Sequence, residues 1–179
     1  MKLPLAIELR EAGESDFTAI AAIYAEHVRT GTATFEIEPP DAVEMARRWR
    51  EATRARLPYL VAVADGEIVA YAYAGPYRPR PAYRFTVEDS IYVRGDARGR
   101  GVGRALLAKL IVEAERAGAR QMIAVIGDAA NEASIRVHAA LGFQHIGVLR
   151  SVGNKFSRWL DVVLMQRALG PGDSAPAES

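Results

Sequence analysis

The chain has 179 residues, 50% hydrophobic and 25% charged, which is typical of a globular domain large enough to bury a core. Its formal net charge of +1 excludes a strong overall attraction to nucleic acid or to a membrane surface, so we expect neither as a partner. Lack of cysteine excludes disulfides, thiolate nucleophiles and cysteine-based zinc sites, and lack of a signal-peptide pattern or a long apolar run favours a soluble cytoplasmic protein.

The predicted elements follow the order strand, two helices, hairpin, strand, helix, strand, helix and two strands. Apolar periodicity, capping residues and turn residues set their limits. In chain order they are a strand at 6–10, helices at 15–28 and 41–52, strands at 59–64, 68–74 and 85–93, a helix at 105–117, a strand at 122–126, a helix at 131–141, and strands at 143–150 and 159–165. Ser15 and Asp16 are the predicted cap of the first helix, and Asp65-Gly66 predicts a tight hairpin turn.

This order favours an α+β fold, with a central, mostly antiparallel mixed sheet of about seven strands and helices on both faces. The continuous apolar run at 122–126 predicts a strand buried on both faces. We expect residues 1–169 to form a single domain. The tail at 170–179 has few bulky side chains, and we expect it to be disordered.

A glycine-rich turn lies between the strand that ends at Val93 and the following helix. Three glycines alternate with other residues, and arginines lie among and beside them, in the run Arg98, Gly99, Arg100, Gly101, Val102, Gly103 and Arg104. Free backbone N–H groups at a helix start favour an anion, and glycine lets a phosphate come close to the main chain. The turn therefore predicts a diphosphate-binding loop. It lacks the Gly-Lys-Ser/Thr ending of a P-loop, and it fits a dinucleotide fingerprint poorly.

The loop matches the pattern Arg/Gln-x-x-Gly-x-Gly/Ala, and it resembles the pyrophosphate loop of the GNAT superfamily of N-acetyltransferases. A second signature of this superfamily starts at Asn131 and Ser134 and continues to Leu141-Gly142-Phe143. The resemblance narrows to the phosphinothricin and methionine sulfoximine acetyltransferase group. Segments that carry this narrower resemblance are Thr34 to Glu36, Ala74 to Tyr83, Thr86 to Val93, Lys155-Phe156, Trp159 to Val162 and Met165 to Arg167.

The resemblance implies a GNAT fold and acetyl-CoA as the co-substrate. It implies that backbone groups of Ile91, Tyr92 and Val93 bind the pantetheine arm, with the Val93 N–H directed to the thioester carbonyl. The loop from Arg98 to Arg104, namely Arg98, Gly99, Arg100, Gly101, Val102, Gly103 and Arg104, would hold the pyrophosphate. Asn131 and Ser134 would contact the pantetheine or the sulfur side.

The resemblance also assigns the amine substrate and the chemistry. Glu88 would be the general base that takes a proton from the substrate ammonium, directly or through water. The implied substrate-binding residues are Phe35, Arg78, Arg80, Tyr83, Thr86, Glu88 and Lys155. The group implies a homodimer, in which Lys155 and Trp159 reach the pocket of the neighbouring subunit.

Several assignments stay open from the residues alone. His138 stands where many GNAT enzymes place a tyrosine as general acid for the leaving thiolate, and it is either that acid or a structural histidine. The arginines at 78–84 lie either in an anion-recognition loop or in a solvated loop. His27 and His145 are interpreted as surface or capping residues. No His/Asp/Glu cluster has metal-ligand spacing, so we expect no metal.

Three functions are compatible with the sequence. The leading one is direct acetylation of the α-amine of a small amino-acid-like substrate, such as phosphinothricin, methionine sulfoximine or methionine sulfone. A second is acetylation of another amine, such as a polyamine or a protein N-terminus, and the arginine loop argues against a polycation. The third is an acetyl-CoA-binding module without catalysis, against which the presence of Glu88 argues.

Overall fold

The computed structural model describes residues 5–176, which contain seven strands and four helices in the predicted order. The strands are β1 (Glu8–Glu11), β2 (Tyr59–Ala64), β3 (Glu67–Pro76), β4 (Thr86–Val93), β5 (Gln121–Gly127), β6 (Gln144–Lys155) and β7 (Arg158–Ala168). The helices are α1 (Phe17–Thr30), α2 (Ala42–Arg54), α3 (Val102–Arg116) and α4 (Glu132–Ala140). Residues 1–4 and 177–179, at the ends of the predicted domain and tail, lie outside the described residues.

The seven strands form one sheet in the order β1-β2-β3-β4-β5-β7-β6. All neighbouring strands are antiparallel except β4 and β5, which run parallel. The sheet is therefore mixed and mostly antiparallel, and the predicted fold class is confirmed. The parallel pair at the centre is what positions the candidate site.

Two apolar clusters pack on opposite faces of the sheet. Helices α1 and α2 cover a face rich in aromatic side chains, where Phe17 packs against Tyr59, and Tyr59 and Tyr92 both stack on Tyr71. Helix α3 covers the other face with a fully buried apolar stripe of Leu106, Leu107 and Leu110, and α4 adds Ile135, Val137 and Leu141 at the margin of the same cluster. Helices on both faces were predicted from the order of elements.

Strand β5 differs from its prediction. Its apolar run is not buried on both faces, because Val125 is 37% exposed and Ile123 is half-buried, whereas Met122, Ala124 and Ile126 are buried. The prediction was wrong since it treated β5 as fully covered, while β4 and β5 separate beside Val125 and leave that face open to a cleft.

Local turn chemistry was predicted more accurately than helix capping. Asp65 and Gly66 have φ angles of 50° and 80°, the left-handed pair of a type I′ hairpin turn. At the start of α1, Asp16 makes no side-chain hydrogen bond that caps α1; its carboxylate accepts from Arg10 and from the Gly13 N–H. The bond from Gly13 caps the short turn Glu14–Asp16 that leads into α1, so Asp16 caps this turn and not the helix itself.

In the tail, the backbone carbonyls of Gly172 and Ala175 accept hydrogen bonds from Arg120. Disorder of the tail stays a prediction, and its last residues, 177–179, lie outside the described part of the chain.

Candidate active site

A cleft of about 540 Å³ opens where β4 and β5 separate. The two strands pair with each other only along Thr86–Asp89 and Gln121–Ala124. Beyond this point β4 continues to pair with β3 and β5 with β7, so the sheet is split on this side. The predicted cofactor residues Ile91, Tyr92 and Val93 line the cleft, as do the starts of α3 and α4.

The glycine loop closes one end of this cleft. Gly99 and Gly101 have φ angles of 75° and 85°, which L side chains rarely adopt, and a Cβ at either position would meet no atom within 4 Å. Backbone conformation, not crowding, therefore requires glycine at both positions. The N–H of Ala105 donates to Gly101 O, so the N–H groups of 102–104 precede the first helical bond and remain available to an anion.

The three arginines of the loop are placed differently. The Arg98 guanidinium lines the cleft but donates to Val93 O at 3.1 Å and pairs with Glu26 of α1 at 2.8 Å. Arg104 also lines the cleft, and no ion pair to it is found among residues 5–176. Arg100 is not among the residues that line the cleft. Their shared role in binding a pyrophosphate stays a prediction.

His27 is a cleft residue that the sequence interpretation missed. Its Nε2 lies 3.0 Å from Val93 O, and its ring packs edge-on against Tyr92. Burial lowers the pKa of the imidazole, although the hydrogen bond to the carbonyl opposes the shift. The ring is therefore neutral and donates from Nε2. His27 was interpreted as a surface or capping residue; it is half-buried in the last turn of α1 and lines the cleft, one helical turn from the buried Tyr24, and that spacing was an available signal.

Glu88 lies on β4 and faces the side of the sheet covered by α1 and α2, since strand side chains alternate and Tyr92 belongs to that face. The carboxyl is half-buried, and burial raises its pKa above the usual value. The charge of Asp89 adds to the rise and the charge of Arg78 opposes it. Gly75 stands opposite on β3, and a Cβ there would meet nothing within 4 Å, so open space adjoins the carboxyl.

The next residue, Asp89, faces the other side of the sheet and was not predicted as a site residue. It is 7% exposed, and its Oδ2 lies 3.0 Å from Nε2 of His138, which is 4% exposed. The His138 Nδ1 lies 2.8 Å from Ser134 O and 3.3 Å from Ser134 Oγ. Both ring nitrogens are therefore engaged, and all three residues line the cleft.

Helix α4 places the predicted sulfur-side residues on the cleft wall. Asn131, the predicted start of this helix, caps it, because its Oδ1 accepts from the Ser134 N–H at 3.3 Å. Asn131 and Ser134 both line the cleft. Since the Asn131 side-chain oxygen serves as the cap, its amide nitrogen remains as the group that can donate to a ligand.

The loop between α1 and α2 crosses β5 and β6 next to the cleft. A Cβ at Gly127 would lie 2.6 Å from Thr32 O, so the backbone of the loop touches the end of β5. Phe35 packs against Gly153 of β6. Lys155, which is 3% exposed, donates from Nζ to Thr34 O at 2.8 Å. Lys155 thus fixes the loop of its own chain, and burial lowers the pKa of its amine.

A polar network holds the same loop from the side of α1 and α2. The Tyr24 hydroxyl lies 2.7 Å from Thr34 Oγ1 and donates to Glu36 at 3.0 Å. Arg48 of α2 pairs with Glu36 at 2.6 Å. Burial raises the pKa of Tyr24 to about 12, so the phenol stays protonated and can donate. The loop is tied to both helices and to β6.

The proline-stiffened loop after β3 carries the predicted anion-binding arginines. Arg78 lies over the Tyr77 ring, with its Cζ 4.7 Å from the ring centroid, and Tyr83 packs edge-on against the same ring. Arg80 is exposed at the start of a short turn. Thr86 begins β4 on the same face as Glu88. Of the two arginines, only Arg78 influences the titration of Glu88.

Within residues 5–176, no group of three or more His, Cys, Asp or Glu side chains is arranged to hold a metal ion. In the same range, each helix is too short or too polar to cross a membrane.

Comparisons with known proteins show which family the chain resembles. The model of the acetyltransferase (GNAT) family matches residues 20–143. The phosphinothricin N-acetyltransferase of Alcaligenes faecalis is 56% identical over 173 residues, which are 97% of this chain and 88% of that protein. The L-methionine sulfoximine/L-methionine sulfone acetyltransferase of Pseudomonas aeruginosa is 43% identical over 177 residues, with 96% and 100% covered.

A solved structure shows the same similarity. The phosphinothricin acetyltransferase of Sinorhizobium meliloti, in complex with acetyl-CoA, superposes with a TM-score of 0.95 at 45% identity, covering 98% of this chain and 95% of that one. The family resemblance predicted from the glycine loop and the 131–143 signature is confirmed. The chain belongs to the GNAT family of acetyltransferases.

Proposed function

We propose that the chain is an N-acetyltransferase that uses acetyl-CoA to acetylate the α-amine of a small amino-acid-like substrate of the phosphinothricin, methionine sulfoximine or methionine sulfone class. The named activities of relatives at 43% and 56% identity over nearly the whole chain support this proposal. The observation in the structure that carries it is the half-buried Glu88 carboxyl beside the cleft, with open space opposite at Gly75.

Acetyl-CoA supplies the acetyl group as a thioester. The chain offers it an anion site at the start of α3, where three backbone N–H groups and Arg104 point to one end of the cleft. Backbone groups of 91–93 bind the pantetheine arm along the split edge of β4. Asn131 and Ser134 bind the sulfur side from α4.

Glu88 prepares the amine. An ammonium group has no lone pair, so it must lose a proton before its nitrogen can attack a carbonyl carbon. A carboxylate with a raised pKa is a better base than an exposed one, and Glu88 accepts this proton directly or through water. The Val93 N–H donates to the carbonyl oxygen, where negative charge develops.

The predicted substrate-binding residues would form the acceptor pocket, that is, the pocket for the amine. This pocket selects a substrate with anionic groups. Arg78 and Arg80 supply positive charge on one side, and Phe35, Tyr83 and Thr86 shape the rest. A polyamine would bring further positive charge to these arginines, so it binds less well than an amino acid. Lys155 acts by holding the Thr34 carbonyl and thereby the loop between α1 and α2, which we call the acceptor loop.

Thiol release from acetyl-CoA tests the proposal. We expect turnover with phosphinothricin, methionine sulfoximine or methionine sulfone, and much lower turnover with spermidine or with a short peptide that has a free N-terminus. Turnover of the peptide or of the polyamine alone would move the activity to the second class of amine. Tight binding of acetyl-CoA with no thiol release from any amine would favour a non-catalytic module.

We also propose a homodimer that forms through β6. This strand is an edge of the sheet, and it and its hairpin expose large apolar side chains, namely Ile146, Val148, Leu149, Val152, Phe156 and Trp159. An exposed edge strand with an apolar surface promotes association unless another surface covers it. A second copy would cover the patch symmetrically. Trp159, which is 70% exposed, would then reach toward the neighbouring subunit.

Sedimentation velocity tests the dimer. Val152→Asp places a charge in the patch and should give a monomer, whereas Val112→Asp, on an exposed site of α3, should leave the dimer intact. A monomer for the unmodified protein at micromolar concentration would contradict the proposal.

We further propose a cytoplasmic location. The reaction consumes acetyl-CoA, which is a metabolite of the cell interior. Cell fractionation with an antibody to the chain tests this location, and recovery outside the cytoplasm would contradict it.

A further inference from the structure

The buried contact between Asp89 and His138 fixes the protons on the imidazole ring. Nδ1 lies 2.8 Å from the carbonyl oxygen of Ser134, and a carbonyl can only accept, so Nδ1 carries hydrogen. Nε2 lies 3.0 Å from Asp89 Oδ2, and an ionised carboxylate can only accept, so Nε2 carries hydrogen too. Hydrogen on both ring nitrogens therefore gives each of these two contacts a donor and an acceptor.

This arrangement decides what the Ser134 hydroxyl can do. The hydroxyl lies 3.3 Å from Nδ1, but a nitrogen that already carries hydrogen cannot accept from it. The hydroxyl therefore accepts part of the N–H and keeps its own hydrogen for another acceptor. Ser134 lines the cleft, so that hydrogen is available to a ligand there.

We propose that Asp89 is a positioning residue of the reaction: it keeps the His138 ring doubly protonated, and the charged ring polarises the Ser134 hydroxyl as a hydrogen-bond donor into the cofactor cleft. The inference rests on the proposed function in one respect, since the acceptor in the cleft is the sulfur of the acetyl donor. Under this proposal Ser134 is the group that faces the sulfur. His138 does not act as a direct acid, because both of its ring N–H groups already have protein acceptors.

Burial of Asp89 supports a role beyond stability. A carboxylate taken out of water costs free energy, and an apolar residue at this position would avoid that cost. Its Oδ1 is buried with no hydrogen-bond partner among the described residues, so the site is not optimised for the carboxylate alone. The positively charged member of the pair, His138, lies next to Ser134 on the cleft wall.

The surroundings of the ring leave Asp89 as its main electrostatic partner. From β4 the ring meets Asp89, from its own helix the Ser134 carbonyl, and after α4 the edge-on ring of Phe143. Burial lowers the pKa of the ring, but the hydrogen bond and charge of Asp89, with the Ser134 carbonyl, outweigh burial and raise it. The other charged or titratable cleft residues are His27, Tyr92, Arg98 and Arg104, and within residues 5–176 no hydrogen bond or ion pair joins them to the ring.

The chemical benefit arises when the carbon–sulfur bond breaks. The amine nitrogen forms the new bond to the acetyl carbon and then loses its excess proton to water, and the electron pair of the broken carbon–sulfur bond stays on sulfur. A hydrogen bond from Ser134 stabilises that negative charge without a proton transfer. One hydrogen bond to a charged group is worth about tenfold in rate or more.

Nitrogen-15 NMR of the histidine rings in the free protein tests the first half of the proposal. We expect both His138 ring nitrogens to stay protonated to a higher pH than those of an ordinary histidine, because the Asp89 carboxylate and the Ser134 carbonyl favour the charged ring. In Asp89→Asn the ring should become neutral, with hydrogen on Nδ1 only, because burial remains and the charge is gone. A neutral His138 ring in the unmodified protein at pH ~7, or an unchanged charge state in the variant, overturns the proposal.

Kinetics test the second half. Ser134→Ala should lower kcat about tenfold, and Asp89→Asn about three- to tenfold at pH ~8, with little change in the KM for the amine. The ratio of kcat for Asp89→Asn to that for the unmodified protein should rise as pH falls, because the buried ring regains its proton. The double variant should be no slower than Ser134→Ala alone, since both act through one hydroxyl.

The outcomes separate this inference from the proposed function. Absence of turnover with every amine, with the expected NMR spectra, rejects the substrate class and leaves the charge pair standing. Unchanged kcat in Ser134→Ala overturns the role of the hydroxyl. Should Asp89→Asn fail to fold, the spectra of the unmodified protein and the kinetics of Ser134→Ala still decide.

Discussion

The Phe35 ring lies directly over the backbone of Gly153. A Cβ at Gly153 would come within 2.6 Å of ring atoms Cδ2 and Cζ, and still closer to Cε2. Such distances do not occur for real Cβ atoms, so the lack of a side chain on β6 is what lets the acceptor loop pack there. Gly153 does not have a positive φ, so close approach alone explains the glycine.

Gly153→Ala should therefore displace the acceptor loop. The added methyl group overpacks the contact, and we expect a loss of about 1–3 kcal/mol in the free energy of unfolding. The KM for the amine should rise, and the dissociation constant of acetyl-CoA should change less. Steady-state kinetics and urea unfolding measure these effects.

Gly147→Ala is the matched control, because it lies on the same strand and its Cβ would meet nothing within 4 Å. It should leave the KM for the amine unchanged. An equal rise in KM for both variants would show that β6, and not the Phe35 contact, is sensitive to substitution.

Glu88→Gln should keep acetyl-CoA binding and lower turnover by about 10² or more, the usual contribution of a positioned base. In the unmodified protein, the base must be deprotonated, so kcat/KM should fall as pH drops through the raised pKa of Glu88. This acid limb lies above the usual value of a glutamate and should vanish in the variant. Calorimetry with acetyl-CoA and a pH series of thiol release provide the measurements. Unchanged turnover would remove Glu88 from the mechanism.

Features set by near neighbours in the chain were predictable. The left-handed glycines at 99 and 101, the Asn131 cap and the hairpin at Asp65-Gly66 each depend on a few consecutive residues with restricted geometry. These residue types favour that geometry, so the sequence alone indicates it. The order of elements then fixed the fold class, since helices must cover both faces of such a sheet.

Contacts between distant residues were not predictable in the same way. The contacts of Asp89 with His138 and of Lys155 with Thr34 depend on the assembled sheet, because they need β4 and β6 in their final positions. Alternation along β4 does separate Asp89 from Glu88, but it does not show which helix residue lies opposite. Val125 was misjudged for the same reason, because the split between β4 and β5 is a property of the whole sheet.

Arg104→Ala should weaken acetyl-CoA binding about tenfold or more, because a charge-assisted hydrogen bond contributes about 1.5–3 kcal/mol. Arg104 lines the cleft at the start of α3, where an anion bound to the free N–H groups would lie next to it. Arg116→Ala, at the exposed end of the same helix, is the control and should bind normally. Isothermal titration gives both dissociation constants, and equal values for the two variants would reject a pyrophosphate contact for Arg104.

We expect Asp16 to contribute to the stability of the fold and not to catalysis or ligand binding. Its buried carboxylate accepts from Arg10 at 2.6 and 3.0 Å and from the Gly13 N–H at 2.7 Å. These bonds lower its pKa, the one from Arg10 most strongly, although burial opposes the shift. Because the folded pKa is depressed, the stabilisation is present above the unfolded value of about 3.9 and is lost as pH falls through the folded pKa.

Asp16→Asn should therefore lower the free energy of unfolding by about 1–2 kcal/mol at neutral pH, a value reduced because Arg10 is partly exposed and screened. The difference from the unmodified protein should shrink as the medium becomes strongly acidic, since both chains then lack the charge. Glu14→Gln, which breaks an exposed pair with Arg50, is the control and should change stability by less than about 0.5 kcal/mol. Chemical unfolding followed by circular dichroism over an acid series measures the difference, and a gap that stays constant with pH would contradict the role of the charge.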